Sequence, residues 1–349
     1  KGMLNLKGLA TGIGSLPHKD ADLALDLIFK YLPQAPFWPQ LPKRDVREGM
    51  IAQFSEKLPC LKLGKEGLAF DAKNKEKELE NFYEHIIAAD VDYFKISPDY
   101  AAGIYAFYQR LKKADLKNIQ YIKCQVTGPL TFAASIKDEA GKSLLHDPVF
   151  MQVITKALAM KALWQIEFLQ EFRKQAILFI DEPYLGCFGS AYTPINREDV
   201  VGVLSELTQE LASKRADVLL GVHCCGNTDW SIFTDIDQID IISFDAFSFL
   251  ERFLLYSRQL LGFLERGGVL CWGMIPTQEF SGKEDPEMLV GRIRAGIEIL
   301  VKKGLPGDLL SKNILLSPAC GLGTLDIAQS EAILKLLSET ANYLRNKNI

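Results

Sequence analysis

Val218-Leu219-Leu220-Gly221-Val222-His223-Cys224-Cys225-Gly226 is a short apolar run that closes on a turn glycine, with its chemistry-bearing side chains at the far end. Runs of this kind read as strands buried on both faces. The pattern recurs downstream at 239–247 (IDIISFDAF), 268–276 (GVLCWGMIP) and 313–321 (NILLSPACG), and upstream at 121–128 (YIKCQVTG) and 176–183 (AILFIDEP). Helical patterns fill the gaps at 196–213, from 247 through 264 and at 286–303, and a last one closes the chain at 325–345. Apolar strands separated by helices specify a parallel sheet covered on both sides, in either a barrel or a doubly wound arrangement.

The first half is less regular. Residues 8–16 and 37–41 supply two more strand candidates around an amphipathic stretch at 21–31, which brings the expected total to eight. Residues 56–118 become an insertion with helical cores at 75–89 and 100–113. A polar loop at 138–147 precedes a long helix at 148–172. Ser15, Thr127, Asp181, Glu182, His223, Cys225, Asp245 and Cys320 all fall at C-terminal strand ends. A barrel gathers such ends on one face, whereas an open sheet would scatter them. The expectation is one domain over 1–349, a (β/α)8 TIM barrel with a helical insertion in its first third.

Composition narrows the function classes. The net charge is −4 and no Lys/Arg block appears, so nucleic acid is not an expected partner. No apolar run approaches the ~18 residues that span a bilayer, and residues 1–10 carry no leader-like apolar core. Seven dispersed cysteines argue against a disulfide framework and for a reducing cytoplasm. Cys60, Cys124, Cys187 and Cys271 read as small buried apolar residues.

His223 and Cys225 stand two apart on a strand and therefore face the same side, while Cys224 faces the other. With Cys320 at the end of another strand, they form a one-nitrogen, two-thiolate set that suits zinc and leaves a coordination position open. Asp245 is a possible fourth ligand. The same residues also read as a satisfied core histidine with filler cysteines; the strand-end placement of all three favours the metal. Asp181 and Glu182 are adjacent, so only one of them can face the barrel mouth. That one can grip a cationic amine; the other reading is a helix cap. The turns Gly12-Ile13-Gly14-Ser15 and Thr127-Gly128-Pro129 permit close backbone approach to a ligand, and their N–H groups could bind a carboxylate. Neither carries the spacing of a phosphate loop.

Taken together, Ile13-Gly14-Ser15-Leu16-Pro17, Val126-Thr127-Gly128-Pro129-Leu130-Thr131, Ile180-Asp181-Glu182-Pro183, His223-Cys224-Cys225-Gly226-Asn227 and Ser317-Pro318-Ala319-Cys320-Gly321-Leu322 resemble, in order, the catalytic C-terminal half of cobalamin-independent methionine synthase and its relatives in the uroporphyrinogen decarboxylase superfamily. His-x-Cys-Gly-Asn is also similar to the corrinoid-protein methyltransferases. The resemblance implies a Zn2+-dependent methyltransferase acting on a small thiol, with His223, Cys225 and Cys320 as ligands. Asp245 falls near the place of a further glutamate ligand. Ser15 would contact the substrate carboxylate and Asp181 its amino group.

Three departures are visible. Gln40 and Leu41 stand where a second amine-binding glutamate is expected, residues 271–286 lack a histidine, and the synthase's N-terminal half has no counterpart here. They point to a methylated corrinoid, free or on a protein, rather than a folate as donor. A folate would need a proton donor, for which His18 is the candidate, with Glu279 or Asp285 as alternatives. A metal-free decarboxylase of the uroporphyrinogen type, or a non-catalytic binder of thiol, corrinoid or zinc, are the competing readings.

Overall fold

Residues 6–64, 67–190 and 195–347 are described by a computed structural model of the chain. Nine segments pair as strands: β1 (Leu9–Ala10), β2 (Leu61–Gly64), β3 (Gly67–Phe70), β4 (Tyr121–Thr127), β5 (Gln175–Asp181), β6 (Leu219–Cys224), β7 (Ile241–Phe244), β8 (Val269–Ile275) and β9 (Ile314–Pro318). Seven of them form one parallel sheet in the order β1-β9-β8-β7-β6-β5-β4, and β2 and β3 form a separate antiparallel hairpin. The six strands expected from the apolar runs between 121 and 321 are all present.

The two expected N-terminal strands are reduced. Residues 8–16 contribute only Leu9–Ala10 to the sheet. Residues 37–41 form no ladder: Phe37 makes a single parallel bridge to Lys123 of β4, and Gln40 a single one to Ser15. Proline explains this. Pro36, Pro39 and Pro42 have no N–H to donate, so a regular ladder cannot run through the segment. What survives is Gln40 N–H to Gly14 O at 3.0 Å, Leu16 N–H to Gln40 O at 2.9 Å, and Lys123 N–H to Pro36 O at 2.9 Å. The segment therefore touches both outer strands' neighbourhoods at once.

The insertion holds the two expected helices, Lys75–Ile87 and Ala102–Lys113, and also the hairpin, whose connecting residues 65 and 66 lie outside the described set. The alternation Leu61-Lys62-Leu63 is a strand signal only a few residues long, too short to stand out against helical neighbours.

Sheet parity decides which side chains reach the site. Leu9, Tyr121, Ile177, Phe179, Leu219, Ile241, Val269, Cys271 and Leu315 form one buried cluster on the inner face. Their even-numbered neighbours, among them Cys124, Val126, Ile180, Val222, Cys224, Phe244 and Trp272, pack outward under the helices. Continuing the inner set towards the C-terminal strand ends brings in polar residues: Lys123, Gln125 and Thr127 on β4, Asp181 on β5, His223 on β6, Ser243 on β7 and Ser317 on β9, all buried. An apolar floor under a polar upper layer is the construction of a site at that end of the sheet. Cys60, Cys124 and Cys271 are buried as expected, but Cys187 is exposed, at the end of the turn Pro183–Cys187.

Candidate metal centre and substrate pocket

Thr127, Asp181, His223, Ser243 and Cys271 are successive register partners across β4 to β8, so they form one row of inner-face side chains. Within it the Ser243 hydroxyl lies 2.9 Å from His223 Nδ1. With Nδ1 occupied, Nε2 is left as the ring atom that can ligate; it is buried and has no hydrogen-bond partner among the described residues.

Cys225 lies one residue past β6 and Cys320 two past β9. Three pairing steps separate these strands, which in a flat sheet would be about 14 Å. The ligand atoms of His223, Cys225 and Cys320 nevertheless lie within 4.8 Å of one another. Curvature of the sheet accomplishes this, helped at β9 by a register shift against β8 between Gly273 and Ile275. The β9 end is stitched to the β1 end beside the cluster: Gly323 N–H donates to Ser15 Oγ at 3.1 Å and Leu322 N–H to Ser15 O at 3.0 Å. Gly321 is required there, since a Cβ would fall 2.3 Å from Ser15 Oγ.

The two thiols are unequal. A hydrogen bond from Cys225 and the nearness of His223 hold the Cys320 thiol well below its ordinary range, and that same bond together with burial pushes Cys225 up. Two thiols beside an imidazole nitrogen left without a hydrogen-bond partner among the described residues are the donor set of a zinc site with one position open. The residues present therefore fit zinc. Asp245 stands outside the cluster of three; its Oδ1 accepts from Ser248 N–H at 2.8 Å and caps the helix Ala246–Phe253.

The cluster opens into a cavity of about 310 Å³ whose wall includes Ser15, Gln40, Glu48, Asp181, Gln278 and Thr324, with no Lys or Arg among its described lining residues. Asp181 Oδ1 is buried without a partner among the described residues. Burial pushes its carboxyl up to about 6, opposed by Lys123 and His223. Lys123 lies below on the inner face, wholly buried, its ammonium bonded to the Ile13 carbonyl and, at 3.0 Å, to Gln125 Oε1. Burial lowers its pKa to about 8.

Several residues read from the sequence as substrate contacts have other duties. Glu182, on the outward parity, does not line the cavity; it accepts from Leu130 N–H, Thr131 N–H and the Thr131 hydroxyl at 2.6–3.0 Å. Thr127 Oγ1 donates to Met50 O at 2.7 Å and so tethers a wall of the cavity without facing it. Gly14 likewise acts through its carbonyl, which accepts from Gln40. His18 is buried and lines no part of the cavity. Neither Glu279 nor Asp285 lines it, and Asp285 caps the helix Pro286–Lys302.

Sequence reasoning missed Glu48 in the wall and Ser243 and Lys123 in support. Strand parity alone would have found the last two, since both are odd-numbered inner-face positions beside Asp181 and His223.

Ser243→Ala removes the partner that fixes the His223 tautomer. Zinc affinity is expected to fall about 10- to 100-fold, as for other losses of a ligand's hydrogen-bond partner, with the fold intact. Competition with a chromogenic chelator measures it, and unchanged affinity would remove Ser243 from the site.

A parallel α/β sheet carrying a His/Cys/Cys centre at its C-terminal end is the class that fold and site define. No family model matches the chain. By sequence it is similar to a methionine synthase of Methanocaldococcus jannaschii, 26% identical over 224 residues, a match that covers 64% of this chain and 65% of that protein. The chain thus matches just under two thirds of the length of that relative. Among solved structures, a B12-independent methionine synthase from Shewanella sp. W3-18-1, in complex with selenomethionine, aligns with a TM-score of 0.47 at 18% identity over 70% of this chain and 67% of that one. The β-methylaspartase of Clostridium tetanomorphum aligns with a TM-score of 0.38 at 12% identity, over 77% of this chain and 57% of that one.

Proposed function

We propose that the protein is a zinc-dependent methyltransferase of the methionine synthase type, moving a methyl group from a corrinoid donor to a small amino thiol. One observation carries this reading: His223 Nε2, the two thiols Cys225 and Cys320, and an Asp181 oxygen with no partner among the described residues share one small cavity. The closed eight-stave barrel belongs to the same proposal, with residues 37–40 as the eighth stave; the bridges to Lys123 and Ser15 support it.

A free thiol has a pKa near ~8.5 and is mostly protonated at neutral pH. Zinc held by His223, Cys225 and Cys320 would remove that proton by coordinating the sulfur. Asp181 supplies a buried anionic acceptor for the substrate ammonium, and Lys123 beneath it balances the charge so that the carboxylate can persist away from water. Ser15 and the glycine turn around it offer a hydroxyl and backbone N–H groups to a carboxylate. Holding sulfur, ammonium and carboxylate at three fixed points orients the nucleophile before the donor arrives.

The cavity also favours the donor. The amine leaving group of a folate needs an acid, whereas reduced cobalt leaves without one. Burial raises the pKa of Glu48, but both of its oxygens are already engaged, by Arg44 at 2.6 Å and by the backbone N–H groups of Leu41 and Ala102. His18 does not reach the cavity. The absence of Lys and Arg from the described lining leaves a polyacidic porphyrinogen without counter-charges, which speaks against the decarboxylase reading.

The test is incubation of zinc-loaded protein with methylcobalamin or methyltetrahydrofolate and a panel of thiols, with products read by mass spectrometry. Methylated amino thiol is expected from methylcobalamin, with no detectable product from the folate. Efficient folate turnover would overturn the donor assignment, and no product from either would overturn the enzyme reading.

A further inference from the structure

Gln40 is one of the polar side chains in the cavity wall, and the orientation of its amide is set by residues outside the cavity. Gln53 Nε2 donates to the Tyr100 backbone carbonyl at 2.8 Å. A carbonyl can only accept, so the nitrogen of Gln53 must be at that end and its oxygen at the other. That oxygen lies 2.8 Å from Gln40 Nε2 and in turn can only accept, so Gln40 must present its nitrogen to Gln53. The Gln40 carbonyl is thereby turned away from Gln53. It lies against Gly14, where a Cβ would come within 2.4 Å of Gln40 Oε1. The Gln40 backbone is held independently, through Gly14 O and Leu16 N–H. Gln53 itself is fully buried.

We propose that Gln53 is a positioning residue that transmits the Tyr100 carbonyl of the insertion to the cavity, fixing Gln40 as an uncharged acceptor that selects substrates carrying a hydrogen-bond donor at that point. Asp181 supplies an anionic acceptor in the same cavity, while Glu48 is already engaged by Arg44 and by the Leu41 and Ala102 N–H groups. Carboxylates beside a neutral acceptor, with no Lys or Arg in the described lining, suit a ligand bearing an amine and leave a group that only accepts hydrogen bonds facing a fixed, repelling oxygen. This deepens the amino-thiol reading above and rests on it. It also gives the insertion a task in substrate selection.

The experiment measures binding, independent of any methyl donor. Zinc-loaded wild type, Gln53→Met, Gln40→Met and the variant carrying both substitutions are titrated calorimetrically with L-homocysteine and with 4-sulfanylbutanoate, which keeps the thiol and carboxylate and lacks the amine. Methionine is close to glutamine in length and cannot hydrogen-bond as an amide, and zinc content and thermal midpoint confirm that each variant is folded. Wild type should prefer homocysteine. Gln53→Met should reduce that preference about tenfold while leaving the affinity for 4-sulfanylbutanoate unchanged, and the double variant should lose no more than Gln40→Met alone, because both act through one amide. Equal losses for both ligands, an unchanged preference in Gln53→Met, or additive effects would each overturn the proposal. Failure of wild type to bind either thiol would instead overturn the functional reading beneath it.

Discussion

Cys225→Ala is expected to purify folded and without zinc, whereas Cys224→Ala keeps about one zinc per chain. The substitutions are chemically identical and adjacent, so the contrast isolates strand parity. Cys224 is fully buried with the outer core of the sheet, and burial pushes its thiol up to about 12, the state of an inert, protonated side chain. Cys225 lies with His223 and Cys320, all three ligand atoms within 4.8 Å. Losing one of three protein ligands leaves a site too poor in donors to retain the ion through purification. Metal analysis of both variants, prepared without chelators, decides the matter. Zinc lost from Cys224→Ala and kept in Cys225→Ala would mean that the parity of β6 is reversed. Methyl transfer should follow the metal, abolished in one variant and retained in the other.

The second large effect is on stability and comes from a residue that the sequence places beside the substrate. Glu182→Ala leaves the Leu130 and Thr131 N–H groups and the Thr131 hydroxyl buried without an acceptor, in a region where Glu182 is 0% exposed. Stranding three donors and opening a small cavity should cost about 3 kcal/mol or more, measured by chemical denaturation. The site carries a pH signature. Burial pushes the Glu182 carboxyl up to about 7, with its three donors opposing, against an ordinary value of 4.5. The folded state therefore binds a proton more readily than the unfolded chain, and this carboxyl's contribution to stability declines as pH rises from about 4.5 to about 7. Glu182→Gln cannot titrate and should remove that slope. A loss under 1 kcal/mol in Glu182→Ala would show that the three donors find water, and that the carboxylate is no structural clamp.

The adjacent pair Asp181 and Glu182 shows where sequence reasoning ends. Alternation establishes that only one of the two can enter the site. Which one does so depends on the curl of the sheet, and Gly128 helps to settle it by leaving room for the other: a Cβ there would fall 2.1 Å from Glu182 Oε1. Glu48 carried no signal, since an acid in the charged run 43–48 (KRDVRE) reads as surface. Its burial places it between its own segment, through Arg44 and Leu41 N–H, and the distant Ala102 N–H.

By itself the sequence determined the local and periodic features. Apolar runs between helices specify buried parallel strands, and a two-residue period puts His223 and Cys225 on one side and Cys224 on the other; the strand expected at 37–41 overlooked the prolines at 36, 39 and 42, and only isolated bridges form there. These follow from sterics and hydrogen-bonding capacity within a few residues. The tertiary structure decided what depends on distance. It brought Cys320 across three strand spacings to the His223–Cys225 edge, left Asp181 Oδ1 without a partner among the described residues, kept Glu182, His18 and Thr127 out of the cavity wall, and bonded the Gln40 amide nitrogen to Gln53. Curvature and long-range hydrogen bonds set those positions, and both arise from the packing of the whole chain rather than from the identity of any one segment.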